Sequence, residues 1–109
     1  MIYNMYDKID AEELKKKMER GEEIQVIDVL SEESYEERHL PGAINIPYRD
    51  IAKRKDEIDP DKEIIVYCND KDCDASPIAA EKLVKLGFEN VTDFEGGLLE
   101  WEKSGYDFE

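Results

Sequence analysis

The sequence predicts an α/β domain built on a central, mainly parallel sheet. Two patterns lead there. Short runs rich in β-branched residues alternate along the chain with amphipathic segments of helical period, the order that a parallel sheet with crossover helices requires. Those runs are apolar on successive residues, as strands covered on both faces are. At 109 residues, with no internal repeat, low-complexity tract or Gly/Ser-rich linker, the chain is expected to form one domain over residues 1–109. It carries 29 acidic and 15 basic residues, a net charge of -14, yet an apolar share of 40% argues for a packed core and against an acidic disordered segment.

The elements follow in order. Asp10 and Glu13 have the spacing of a capping pair, Leu14 and Met18 share one helical face, and Gly21 stops the helix after about Glu19. Gln25-Val-Ile-Asp-Val29 reads as a buried strand, and Ser31 caps a short helix through Glu37. His39-Leu-Pro-Gly42 is a turn, followed by a short strand, Ala43 to Ile46, closed by Pro47. Tyr48 to Ile58 suits one or two charged helical turns. Asp59-Pro-Asp-Lys62 turns the chain into Glu63-Ile-Ile-Val-Tyr67, the clearest strand. Beyond the loop Asn69 to Ala75, Ser76 is expected as the N-cap and Pro77 as the first residue of a helix whose apolar stripe is Ile78, Ala79, Leu83 and Leu86, ending at Gly87. Asn90 to Phe94 is the last strand, Gly96-Gly97 a close turn, and Leu98 to Lys103 a final helix anchored by Trp101. Trp101, Tyr67 and Phe88 are expected in the core.

Cys68 stands at the carboxyl end of the clearest strand, where sites gather in parallel sheets. The amides of Asn69, Asp70, Lys71, Asp72, Asp74, Ala75 and Ser76, with the start of the following helix, can converge there and favour negative charge. A cysteine in such a bowl ionises more readily, and the thiolate is the nucleophilic form. The alternative for a cysteine closing a buried strand is a small apolar core residue. Cys73, five positions on, is either a partner for a disulfide that would resolve an oxidised Cys68 or a spare thiol. Two cysteines and one histidine fall short of the four ligands of a structural zinc site. His39 in its Pro-Gly turn is expected to shape the loop, and Asp28 at a strand end to accept backbone hydrogen bonds.

The charge balance opposes nucleic acid and anionic lipid as partners. No apolar run approaches the roughly eighteen residues of a membrane helix. Met1 to Asp10 lacks the basic-then-apolar order of an export signal, so a soluble cytoplasmic protein is expected.

Val26-Ile-Asp-Val29, Tyr35, the run His39-Leu-Pro-Gly-Ala-Ile-Asn-Ile-Pro47, Ile65-Val-Tyr-Cys68, Ala79-Ala80 with Leu83 and Gly87-Phe88, and Glu95-Gly96-Gly97 with Trp101 closely resemble, in order and spacing, the motifs of single-domain rhodanese-like proteins. The resemblance implies a five-stranded, mainly parallel sheet flanked by helices. It also implies a sulfurtransferase or sulfur carrier that holds a persulfide on Cys68 and passes the sulfur to a thiol acceptor or acceptor protein, without metal or organic cofactor.

The chain departs from the family pattern at the loop, which is longer than usual, lacks the customary Gly and Arg, and carries Asp70, Asp72 and Asp74 with Lys71 as the one nearby cation. Leu30 stands where Arg often follows the Asp-Val pair. Three carboxylates oppose thiolate formation and repel a dianion such as thiosulfate, which favours polysulfide or a protein persulfide as donor. Phosphate chemistry, used by relatives of this fold with an Arg in the loop, is disfavoured without that bidentate clamp. The alternative function is a non-catalytic rhodanese-like binding or redox-sensing module using Cys68 and Cys73.

Overall fold

Among the described residues, five strands form one sheet in the order β1-β5-β4-β2-β3, with every neighbouring pair parallel. They are β1 (Asp7–Lys8), β2 (Ile24–Asp28), β3 (Ile44–Asn45), β4 (Glu63–Tyr67) and β5 (Val91–Phe94). The helices are α1 (Ala11–Glu19), α2 (Glu32–Glu37), α3 (Ala75–Lys85) and α4 (Gly97–Lys103), with two 3-10 turns at Tyr48–Asp50 and Lys55–Glu57. This computed structural model describes residues 6–109, so the reading of Met1 to Asp10 as free of an export signal falls partly outside the described residues. None of the described helices is long and apolar enough to cross a membrane.

The alternation of side chains along each strand divides the core in two. Ile64 and Val66 of β4, Cys68 directly after it, Ile27 of β2 and Val91 of β5 pack with Ala75, Ala79, Ala80 and Leu83 of α3. On the opposite face Ile65 and Tyr67, Val26 and Phe94 pack with Leu14 of α1 and Leu98 and Trp101 of α4. Strands that bury both faces explain the unbroken apolar runs of the sequence.

The caps of the first two helices form as the sequence predicts. Asp10 Oδ1 accepts from the Glu13 amide at 2.9 Å, and Ser31 Oγ accepts from the Ser34 amide at 3.2 Å. Gly21 follows α1 at φ +67°, a left-handed value that suits glycine. The start of α3 is a correction. The helix begins at Ala75, with Asp74 at the N-cap position in helical conformation and its carbonyl accepting from the Ile78 amide at 3.1 Å. Ser76 is therefore not the cap but a residue of the first turn, and its side chain is wholly buried. β1, a pair of exposed residues beside β5, has no counterpart among the segments read as strands.

At the carboxyl ends of β2 and β4 a buried polar group ties strand to turn. The Tyr67 hydroxyl donates to Asp28 Oδ2 at 2.8 Å and accepts from the Leu40 amide at 3.1 Å, while Asp28 Oδ1 accepts from the Leu30 amide at 2.9 Å. Burial raises the Asp28 pKa, against the lowering effect of the Tyr67 and Leu30 hydrogen bonds. Asp28 is thus a structural acceptor, as its strand-end position suggested. Tyr67→Phe leaves the Leu40 amide and one Asp28 oxygen unpaired in the core. It is expected to cost about 1–3 kcal/mol of stability, read as a lower melting midpoint with unchanged far-UV circular dichroism. An unchanged midpoint would show that these bonds contribute no net stability.

Candidate active site

Cys68 directly follows β4 and is wholly buried, on the face of the sheet that α3 covers. Its peptide is fixed from behind by α4. The Leu98 amide donates to Cys68 O at 3.1 Å and the Leu99 amide to Asn69 O at 2.9 Å. This close approach requires glycine at position 97. Gly97 has φ +55°, and a Cβ there would lie 2.2 Å from the Cys68 carbonyl oxygen. The Gly96-Gly97 pair therefore allows the tight passage expected of it, and Trp101, buried one turn later, anchors the helix to the other core.

The loop after Cys68 is folded by Asp70. Its backbone carbonyl accepts from the Cys73 amide at 3.1 Å, its Oδ1 from the Asp72 amide at 3.0 Å, and its Oδ2 from the Asn69 side chain at 3.0 Å. These bonds close the loop and bring Cys73 against Cys68, whose Sγ donates to the Cys73 carbonyl at 3.5 Å. Both thiols are free. Asn69, Lys71, Asp72 and Asp74 point to solvent, and Asp70 and Cys73 are half-buried.

The expected bowl of amides is thus only partly assembled. The Asp72 and Cys73 amides are committed to Asp70, and the one hydrogen bond of the sulfur among the described residues is to the Cys73 carbonyl, while Ser76 adjoins it from the first turn of α3 with its hydroxyl unpaired. Burial is the largest influence on Cys68 and, with the adjoining Cys73 thiol, pushes its pKa up to about 12, while the Ser76 hydroxyl and amide act in the opposite direction. Lys71 forms no ion pair among the described residues, so it does not offset burial by direct contact.

His39 is held elsewhere. Its ring stacks on Tyr35 at 3.8 Å, its Nδ1 lies 2.9 Å from Tyr35 O, and its backbone exchanges hydrogen bonds with Glu109. One residue of the site was missed in the sequence. Asp93 on β5 lies on the α3 face, opposite Val66 of β4, and is 1% exposed. A carboxylate inside the apolar run Val91 to Phe94 was the available signal. Beside the loop lies an open cleft of about 330 Å³ with Asp70, Lys71, Leu99 and Lys103 among its walls, but Cys68 does not line it.

Gly97→Ala forces a β-carbon into the Cys68 peptide. It is expected to cost about 1–3 kcal/mol in thermal unfolding and to change the rate of Cys68 alkylation. Wild-type stability and reactivity in this variant would show that the α4 contact does not position the cysteine.

A sequence model of the rhodanese-like domain matches residues 10–104. The chain is 37% identical over 99 residues to the HTH-type transcriptional regulator Rv0324 of Mycobacterium tuberculosis, covering 91% of this chain and 43% of the regulator. It is 30% identical over 102 residues to the thiosulfate sulfurtransferase GlpE of Coxiella burnetii, covering 94% of this chain and 90% of that enzyme. Among solved structures, the BH2092 protein of Bacillus halodurans superposes with a TM-score of 0.89 at 34% identity, over 96% of this chain and 77% of that one. The chain spans half or less of the length of several relatives it matches.

Proposed function

This chain belongs to the rhodanese-like domain family, and on that premise we propose that it carries sulfane sulfur as a persulfide on Cys68. The observation that carries the reading is the placement of Cys68 at the carboxyl end of β4, packed in one core with Ala75 at the start of α3. In the first step the Cys68 thiolate attacks the outer sulfur of a polysulfide or protein persulfide. The donor S–S bond breaks, and the remainder leaves as a thiolate or a shortened polysulfide. In the second step an acceptor thiolate attacks the outer sulfur of the Cys68 persulfide, and Cys68 leaves as its thiolate. No metal or organic cofactor enters either step.

Two features shape this chemistry. Cys68 has no contact with solvent, so transfer includes displacement of the Cys73 carbonyl from the sulfur and opening of the loop over residues 69–74. The loop also presents Asp70, Asp72 and Asp74 to whatever approaches, which disfavours thiosulfate relative to donors of lower charge density. GlpE of Coxiella burnetii is a thiosulfate sulfurtransferase by name. The acidic loop supports a shift of donor for this chain.

A second reading has its own observation. The half-buried Cys73 is folded against Cys68, an arrangement suited to forming a disulfide on oxidation, as a redox-sensing module would. Intact mass after exposure of the reduced protein to polysulfide, and separately to thiosulfate, tests both readings. Addition of one sulfur that Cys68→Ser abolishes and Cys73→Ser preserves is the expected result, with polysulfide the better donor. Replacement of Asp72 and Asp74 by Asn is expected to improve the thiosulfate reaction by about two- to fivefold at low salt, in line with the modest strength of exposed charge interactions. No sulfur on Cys68 with either donor would overturn the carrier function. A Cys68–Cys73 disulfide formed readily in its place would favour the redox module.

A further inference from the structure

Two buried polar atoms near Cys68 have no hydrogen-bond partner among the described residues, Ser76 Oγ and Asp93 Oδ1. Ser76 and Asp93 are 0% and 1% exposed, so neither atom has water to fall back on. A buried carboxyl and a buried hydroxyl without partners are costly, and each such group calls for an explanation. The pleat supplies their placement. Val91 of β5, Val66 of the neighbouring strand and Cys68 just beyond that strand's end face α3, and Asp93, two residues after Val91 and in register with Val66, faces the same way. Ser76, in the first turn of α3, adjoins Cys68 on one side and Asp93 on the other. Its hydroxyl is aligned for neither, and rotation about one side-chain bond redirects it.

We propose that Asp93 accepts the Cys68 proton through the Ser76 hydroxyl. In the poised arrangement the Cys68 S–H has turned from the Cys73 carbonyl to Ser76 Oγ, and the Ser76 O–H has rotated to the Asp93 carboxylate. On activation the S–H bond breaks as its proton passes to Ser76 Oγ, and the Ser76 O–H proton passes to Asp93. The products are a Cys68 thiolate accepting from the Ser76 hydroxyl and a neutral Asp93 carboxyl donating to it. No proton is gained from or lost to water, and the buried negative charge moves from carboxylate to sulfur without increasing. Ser76 touches the reacting sulfur, and Asp93 positions and receives the proton through it.

This resolves a difficulty set by burial. Burial pushes the Cys68 pKa up, and a thiolate beside an ionised Asp93 would be a second negative charge in one buried pocket. Burial also raises the Asp93 pKa above that of an ordinary carboxyl, making it a better acceptor. The other titratable groups around Asp93 are Lys8 of β1 and Glu95 just after β5, paired with each other at 3.3 Å, and Tyr6. Around Cys68 they reduce to Cys73. Lys8 and Glu95 are about half-exposed and oppose one another, leaving the relay as the direct route for the thiol proton.

The inference rests on Cys68 being a nucleophile, as proposed above, and not on sulfur being what it attacks. The test is the pH dependence of Cys68 alkylation by iodoacetamide in the wild-type protein, followed by peptide mass so that Cys73 is counted separately. The reactive tautomer and the resting one hold the same number of protons. The rate is therefore expected to be flat through neutral pH, falling only on the acid side as Asp93 is protonated. A rate that climbs about tenfold per pH unit across the same range is the behaviour of an isolated thiol and would overturn the relay. Asp93→Asn and Ser76→Ala are each expected to abolish the plateau and slow alkylation at neutral pH by roughly a hundredfold, with the double variant no slower than either single one. Faster alkylation in Asp93→Asn would instead identify Asp93 as a charge that merely repels the thiolate. Sulfur uptake is scored apart: a plateau with no persulfide would keep the relay and sink the carrier function, and persulfide formation without a plateau would do the reverse.

Discussion

The burial of the Cys68 sulfur is the constraint on which the rest of the site depends. A thiol in water acquires its charge from solvent and hydroxide. This one is closed off by α3, by the β4 backbone and by the loop folded on Asp70. Whatever makes it nucleophilic must therefore come from protein groups already in contact with it. Those groups are the Ser76 amide and hydroxyl, which favour the charged form, and the Cys73 thiol and carbonyl, which do not. The balance in the closed loop favours the neutral thiol. A reactive state requires the loop to release the sulfur, an internal base to take its proton, or both.

The scaffold that imposes this burial is tightly coupled to the far side of the sheet. Cys68 belongs to the core under α3, yet its carbonyl and that of Asn69 are bonded to the amides at the start of α4, which packs on the opposite face. Gly97 makes the approach possible because any side chain would occupy the space of the Cys68 peptide. α4 is in turn tied to α1, where Glu100 Oε2 accepts from the Ala11 amide at 2.6 Å. The backbone beside the sulfur is therefore rigid, while the loop beyond Asn69 has exposed side chains and bonds largely to itself. This division suits a site that must open on one side without losing its geometry on the other.

Periodicity and capping chemistry made most of the fold legible in the sequence. Asp10 and Ser31 cap the helices they were expected to cap, and the bounds of β4 are those of the apolar run itself. β1 escaped because a pair of exposed residues carries neither alternation nor an apolar run, and its pairing with β5 depends on tertiary structure alone. Ser76 was misplaced as a cap for a related reason. Ser-Pro is a strong start signal, but burial against Cys68 and Asp93 draws its side chain inward, and the helix extends back to Ala75. The direction of the loop amides was likewise invisible, since it turns on Asp70 bonding to its own loop. Cys68 could be named from its strand end, whereas Asp93 could not be joined to it without the register between β4 and β5.

The carboxylates near the cysteine then divide into two sets with opposite effects. Asp72 and Asp74 stand in solvent and Asp70 is occupied in folding the loop; together they present negative charge on the outer side of the loop. Asp93 is on the inside, separated from solvent by the same helix that covers the sulfur. An ionised carboxylate there would normally oppose a second buried negative charge, and the site can hold only one at little cost. Moving that single charge between Asp93 and Cys68 through Ser76 satisfies the limit, because the carboxyl becomes neutral as the sulfur becomes charged. The acidic character that makes the chain a poor host for a thiolate on its surface thus has an internal counterpart that allows one to form. In the sulfur carriage proposed for Cys68, the same limit would couple the two steps. When Cys68 leaves as a thiolate, the proton on Asp93 can return to it, and the site closes again around a neutral thiol.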